Sequence, residues 1–175
     1  MNRRQGLWVL GIAAVVLFVV LGLLDLRMQD TGGPGIVGLE LAGSTDRATQ
    51  ILGEWGQTGR DAAQLSLWID FLFLIAYGAF LSLAILAVRD AARRNGWDSY
   101  ARYGAAIAVL PIVAAVCDAL EDVGLLLILD GHGATLVPQA ATAFALAKFA
   151  TLAVALAYLL AGLTALARAR LSASS

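Results

Sequence analysis

Four apolar stretches, each about twenty residues or longer, constrain this chain more than any other feature. They cover about residues 6–24, 65–88, 104–129 and 137–167. A helix needs roughly 20 mostly apolar residues to cross about 30 Å of hydrocarbon. The chain is 60% apolar and 14% charged, against roughly 45–50% and 25% in soluble domains. We therefore predict an all-α fold, a bundle of four transmembrane helices forming one membrane domain over residues 1–175.

The positions of the arginines predict the orientation of this bundle. They lie before the first stretch, between the second and third, and after the fourth: Arg3, Arg4, Arg89, Arg93, Arg94, Arg102, Arg168 and Arg170. The loop at 130–136 has neither lysine nor arginine. Because loops rich in positive charge stay cytoplasmic, we predict both termini in the cytoplasm. The first stretch lacks a small-residue cleavage site, so we interpret it as a retained anchor rather than a signal peptide.

The long first loop contains its own helical pattern. Apolar residues recur at i, i+3, i+4 and i+7, as Ala48, Ile51, Leu52 and Trp55. This spacing predicts a short amphipathic helix over about 45–56, in the first extracytoplasmic loop. Two interpretations stay open: an anchor lying in the membrane interface, or a lid over the outer mouth of the bundle.

Ionisable residues inside the apolar stretches identify the candidate site. They are Asp70 in the second stretch, Asp118, Glu121 and Asp122 in the third, and Lys148 in the fourth. An ionised side chain at mid-bilayer costs at least about 2.5–3.5 kcal/mol, so such residues face the bundle interior, pair with one another or mark function. A rise of about 1.5 Å per residue places all five in one layer of the outer half.

Helical spacing indicates which of these side chains share a face. Asp118, Glu121 and Asp122 are related as i, i+3 and i+4. Asp70 and Tyr77, seven residues apart, also align, which adds Tyr77 to the candidate binding or proton site. We expect Asp122 nearest the rim of this site.

The charges of this layer do not balance, because four acids face one lysine. Either some acids stay protonated, or a cation or cationic ligand binds, or water enters from outside. We therefore expect an outward-facing acidic pocket that binds or translocates a small cationic or amphipathic ligand, with proton coupling as an open question. Two alternatives are an intramembrane enzyme or lipid-binding protein acting on a membrane lipid, and a structural or accessory subunit with a closed polar core.

Composition excludes several other classes of site. Cys117 and His132 are the single cysteine and histidine, which removes an intrachain disulfide, bis-histidine haem ligation and HExxH chemistry. We predict no metal and no cofactor, and we assign no catalytic residue, so enzymatic activity stays undecided. A net charge of −1 argues against nucleic acid. The expected partners are the lipid bilayer, the small ligand, and a second copy or another membrane protein.

Three segments resemble a known group of sequences: "GLELAGSTDRATQILGEWG" at 38–56, "DFLFLIAYG" at 70–78, and "CDALEDVGLL" at 117–126 with the later "AKFA". The chain is similar, from about residue 35 onward, to an uncharacterised family of small bacterial four-span integral membrane proteins. Members of that family often carry Glu-Asn where this chain has Glu121-Asp122, which would make Glu121 the more important acid. The resemblance implies the four-span topology and a bacterial inner (plasma) membrane, and it implies no activity.

Overall fold

Residues 2–132 and 135–172 are described by the computed structural model, and this part of the chain is helical with no β-strand. Its helices are, in order, α1 (Arg3–Gln29), α2 (Ile36–Glu40), α3 (Thr45–Arg94), α4 (Asp98–Ala101), α5 (Gly104–Ile107), α6 (Leu110–Leu129) and α7 (Val137–Ser172). The predicted all-α fold class is thus confirmed. The short helices α2 and α4 were not predicted.

Three helices, α1, α3 and α7, are long and apolar enough to cross a membrane. The predicted stretches 6–24, 65–88 and 137–167 lie within them. α6 has 20 residues, and three acidic side chains near its middle interrupt its apolar sequence. A fourth span at α6 stays a prediction.

The third predicted stretch, 104–129, is interrupted near its start. α5 ends at Ile107 and α6 begins at Leu110, with Pro111 in its first turn. Proline has no N–H group, so it cannot donate to the carbonyl four residues earlier and is best accommodated where a helix begins. The two residues between the helices keep right-handed helical backbone angles, so the chain continues in nearly the same direction.

α3 is two helical segments joined at Gly56, whose φ of 55° and ψ of −158° are not helical. A positive φ costs glycine little because it has no Cβ. The segment before the kink buries its predicted apolar face, which packs into a cluster with Met28, Leu39, Leu125 and Ile128. This face therefore contacts protein at the end of the bundle that carries residues 30–56, which we call the outer end after the predicted orientation.

The opposite end of the bundle, which we call the inner end, is closed by apolar and aromatic packing. The buried residues there are Ile85, Val88, Ala108, Ala155 and Leu159. Beside them the rings of Tyr100 and Tyr158 stack with their centroids 4.2 Å apart. The Tyr100 hydroxyl also donates to the carbonyl oxygen of Tyr158 at 2.6 Å, which ties α4 to α7.

Candidate functional site

The centre of the site is the ammonium group of Lys148, in the outer half of α7. Its Nζ lies 2.8 Å from Asp118 Oδ1 and 2.8 Å from Glu121 Oε2, both on α6. The three side chains are buried, and Glu121 has no exposed surface at all. The i, i+3 spacing of the two acids on α6 lets both reach the same lysine.

Tyr77 joins this group from α3. Its hydroxyl donates to Asp118 Oδ2 at 2.9 Å, while Asp118 Oδ1 accepts from Lys148. Both oxygens of Asp118 are therefore hydrogen bonded. The aspartate joins three helices, since it lies on α6 and its partners lie on α3 and α7.

A second group of carboxyls adjoins the first. Oxygen atoms from Asp70, Asp118 and Asp122 all lie within 4.8 Å of one another. Asp122 is 3% exposed, and its Oδ2 has no hydrogen-bond partner among the described residues. Asp122 was expected at the rim of the site, and the structure instead buries it. At i+4 from Asp118 the residue points into the bundle toward α3, and the outer end of the bundle covers it.

Glu40 also belongs to the site, although it was not predicted from the sequence. It ends α2 in the first loop, is 8% exposed, and has its Oε2 3.5 Å from Lys148 Nζ. Its backbone carbonyl accepts from the Thr142 hydroxyl at 2.7 Å, and Thr142 Oγ1 accepts from the Gly43 N–H at 3.1 Å. These bonds hold the end of α2 against α7. One signal was present: Glu40 is the single charged residue in the apolar run "IVGLELAG" at 36–43.

Burial makes the charge of this cluster costly. Five carboxyl groups, from Glu40, Asp70, Asp118, Glu121 and Asp122, surround one ammonium group. Desolvation raises the pKa of the Glu40 carboxyl above its ordinary value, although the positive charge of Lys148 acts in the opposite direction. Neither oxygen of Glu121 has a hydrogen-bond partner among the described residues, despite the 2.8 Å ion pair of Oε2. Such groups are expensive unless a proton or a cation neutralises them.

A cavity of about 500 Å³ adjoins the carboxyls. Its polar lining residues are Asp25, Glu40, Ser66, Asp70, Asp118, Asp122 and Lys148. The rest of its wall is mostly apolar and comes from α1, α2, α3 and α7: Phe18, Leu21, Ile36, Val37, Leu67, Phe73, Leu81, Phe149, Leu152 and Leu156. A mostly apolar pocket with a few convergent polar groups is the usual form of a small-molecule site.

The cavity opens sideways, between α1 and α7. α1 packs along α3, and no comparably extensive contact joins α1 to α7 in the described part of the chain. The lining residues nearest this gap are exposed, 65% for Phe18 on α1 and 42% for Leu156 on α7. Both belong to helices able to cross a membrane, so in a bilayer this opening would face lipid chains.

The outer end of the cavity is covered by the segment 30–41. The Ile36 N–H donates to Asp25 Oδ1 at 2.6 Å, which anchors the start of α2 to α1. The Trp55 indole N–H donates to the carbonyl oxygen of Pro34 at 2.6 Å. A Cβ at Gly35 would collide with the Asp25 carboxylate, so this close approach requires glycine. Hydrogen bonds to α1 and to α3 therefore hold the segment 30–41 over the acids.

The sequence-predicted site residues thus form one connected group: Asp70, Tyr77, Asp118, Glu121, Asp122 and Lys148. Within the described residues, the one cluster with metal-ligand spacing is the set of three aspartates. The arrangement can hold a cation, exchange protons among carboxyls, and accept an apolar chain beside them.

No protein-family model, curated protein or solved structure matches this chain. The resemblance to small four-span membrane proteins therefore stays a prediction.

Proposed function

We propose that the chain is a bacterial inner-membrane protein with four spans, in which α6 crosses the membrane beside α7. At about 1.5 Å per residue, the 20 residues of α6 extend about 30 Å, the thickness of the hydrocarbon. Its acids face Lys148 and α3 rather than lipid, which removes the main objection to a membrane position. The arginine-rich segments then place both termini in the cytoplasm.

We propose further that this protein binds an amphipathic cation inside the membrane. The observation that carries this function is a sideways-opening, mostly apolar cavity whose wall includes the clustered aspartates Asp70, Asp118 and Asp122. The cationic head would lie at the aspartates, and the apolar tail would lie along the α1 and α7 side chains. Lys148 offsets part of the negative charge but already contacts Asp118 and Glu121, so a further cation is electrostatically favoured.

Binding fits this conformation better than passage across the membrane. Toward the inner end, the helices are closed by the cluster around Ile85 and Leu159 and by the stacked rings of Tyr100 and Tyr158. In the absence of the cation, shared protons would neutralise the excess carboxylates. Cation binding would then release protons, which is the form of proton coupling that this site favours.

The test uses the full chain in phosphatidylcholine nanodiscs, with octylammonium as the probe and octanol as the uncharged control of equal length. A ligand that binds the folded state raises Tm with concentration, so we expect octylammonium to raise Tm and octanol to do so much less. The double variant Asp70→Asn with Asp122→Asn should weaken the response at least tenfold. The exposed outer acid Asp61 supplies the matched control Asp61→Asn. Equal responses of all three proteins would refute cation binding at this site.

A structural subunit is the second candidate, and the Lys148 pairing with Asp118 and Glu121 favours it. Buried ion pairs can fix how helices pack without binding anything. This function predicts that Lys148→Met destabilises the protein while no alkyl cation changes Tm. The nanodisc experiment therefore separates the two candidates.

A further inference from the structure

We propose that the head group recognised at the three aspartates is a protonated primary amine, so that the ligand is an amphipathic alkylammonium with free N–H donors. This inference rests on the proposed function and specifies the chemistry of its ligand. It is carried by the hydrogen-bonding state and the spacing of the carboxyl oxygens.

The cluster has too few hydrogen-bond donors for its acceptors. The two donors that reach the three aspartates, the Tyr77 hydroxyl and the Lys148 ammonium group, both donate to Asp118. Asp122 Oδ2 is left with no partner in the described part of the chain, although the residue is 3% exposed and lines the cavity. Buried acceptors of this kind are normally paired. A ligand that brings N–H groups satisfies this acceptor, whereas a quaternary ammonium group brings none.

The spacing of the oxygens suits an ammonium group. One oxygen from each of Asp70, Asp118 and Asp122 lies within 4.8 Å of the other two. An R–NH₃⁺ group has three N–H bonds at tetrahedral angles, with charge-assisted N···O distances of about 2.8–2.9 Å. Three acceptors around such a group are then separated by about 4.6–4.7 Å, which lies within the observed limit. This spacing therefore permits one primary amine to donate to all three aspartates at once.

The aromatic side chains of the cavity are poorly placed for the alternative head group. Quaternary ammonium ions are commonly held by the faces of several aromatic rings. Here the ring of Phe149 faces Lys148, with Nζ 4.9 Å from its centroid. The ring of Phe73 packs against Phe18 and Tyr77, at centroid distances of 6.1 and 5.1 Å. These rings contact the protein's own groups and one another, and do not form an empty cage.

The remaining cavity wall accommodates the tail. Leu152 and Leu156 on α7 and Phe18 on α1 continue from the aspartates toward the gap between the two helices. An alkyl chain attached to an amine at the aspartates would leave through this gap into lipid. The amine could belong to a free alkylamine or to the head group of an aminolipid, and the experiment distinguishes these sources.

The decisive comparison uses the unaltered full chain in nanodiscs of pure phosphatidylcholine. Octylammonium and octyltrimethylammonium have the same charge and the same tail, and differ in N–H donors. We expect octylammonium to bind at least tenfold more tightly, measured by isothermal titration. Asp122→Asn should reduce this preference to less than threefold, and the control Asp61→Asn should preserve it. Equal affinities of the unaltered protein for the two probes would overturn the inference while leaving the proposed function standing.

Three further arms complete the test. Failure of both probes to bind would refute the proposed function itself. Magnesium or calcium chloride that displaces octylammonium from the unaltered protein, but has no effect on Asp122→Asn, would assign the aspartates to a metal ion and overturn the inference. Nanodiscs containing phosphatidylethanolamine identify the source: weaker octylammonium binding there supports an aminolipid, and unchanged binding supports a free alkylamine.

Discussion

The outer and inner halves of this helical bundle handle charge in opposite ways. In the outer half, four buried carboxyls and the half-buried Asp70 cluster around Lys148 beside a cavity of about 500 Å³. In the inner half, the interior is apolar and aromatic. The ion pairs there, Arg3 with Asp90 at 2.5 Å and Arg89 with Asp90 at 2.7 Å, are partly exposed to the surroundings.

On the proposed function, this difference separates a half that would bind the ligand from a half that holds the helices together. Buried polar groups cost free energy unless they are paired, and the inner half avoids that cost by keeping its charges at the edge. The outer half contains buried polar groups despite this cost, and hydrogen-bond acceptors such as Asp122 Oδ2 have no partner there among the described residues. Unpaired groups beside a cavity are more consistent with a binding site than with packing alone.

Lys148→Met should lower stability more than any other single substitution in the bundle. It leaves Asp118 and Glu121 buried without their cation, and breaking a buried ion pair costs about 3–5 kcal/mol. Denaturant unfolding in mild detergent would measure the loss. Adding Asp118→Asn and Glu121→Gln should recover part of the stability, because the unpaired charges are then gone. A loss below about 0.5 kcal/mol for the single variant, the range of an ordinary surface substitution, would mean that the cluster is not buried in the folded protein.

Ile85→Ala tests whether the inner half acts as an independent packing core. Ile85 has no exposed surface and lies in the inner apolar cluster, so truncation should cost about 2–5 kcal/mol. The affinity for octylammonium should stay within twofold of the parent protein, because the residue is not part of the cavity wall. A large change in the affinity for octylammonium with this variant would show that packing in the inner half and binding in the outer half are not independent.

Glu40→Gln should change how stability depends on pH. Burial raises the pKa of Glu40 above 4.5 in the folded protein, so the folded state binds the proton more tightly than the unfolded chain does. The resulting stabilisation is fully present below about pH 4.5 and is lost as pH rises through the folded-state pKa. The variant lacks this loss, so its Tm relative to the parent should become more favourable as pH rises from about 4.5 through the folded-state pKa of Glu40. Glu54→Gln, at an exposed outer position, should show no such trend.

Arg3→Gln should have the smallest effect. The Arg3 side chain is 41% exposed and that of Asp90 is 28% exposed, and exposed ion pairs contribute about 0.2–1 kcal/mol. Urea unfolding at low and high salt would show a small difference that shrinks with salt. Arg4→Gln is the matched control, since Arg4 makes no salt bridge within the described residues. A loss near that of Lys148→Met would contradict the contrast between the halves.

The helices were predictable from the sequence because the spans depend on local properties. Length and hydropathy located α1, α7 and the apolar part of α3, whereas the third stretch was predicted to begin at residue 104 and α6 begins at Leu110. The second helical segment of α3 begins directly after the kink at Gly56, and this start was not predictable from period alone. Glycine at that position is equally typical of the end of a helix.

The candidate site was predictable as far as helix faces determine it. Spacing on α6 and depth along each helix predict, without knowledge of the tertiary fold, that four residues lie close together: Asp70, Asp118, Glu121 and Lys148. Glu40 could not be found in this way, because its position depends on how the loop 30–44 folds back over the bundle. Long-range contacts of this kind leave no periodic pattern in the sequence.

The pairing of Lys148 with the acids of α6 also bears on how the chain enters a membrane. Alone, α6 would bring three acids into hydrocarbon, each costing about 2.5–3.5 kcal/mol on insertion scales. Lys148, on the next helix and 2.8 Å from two of those acids in the finished fold, can offset that cost when both helices are present. On this topology we expect α6 and α7 to leave the insertion machinery together as a helical hairpin, so that membrane integration of one depends on synthesis of the other.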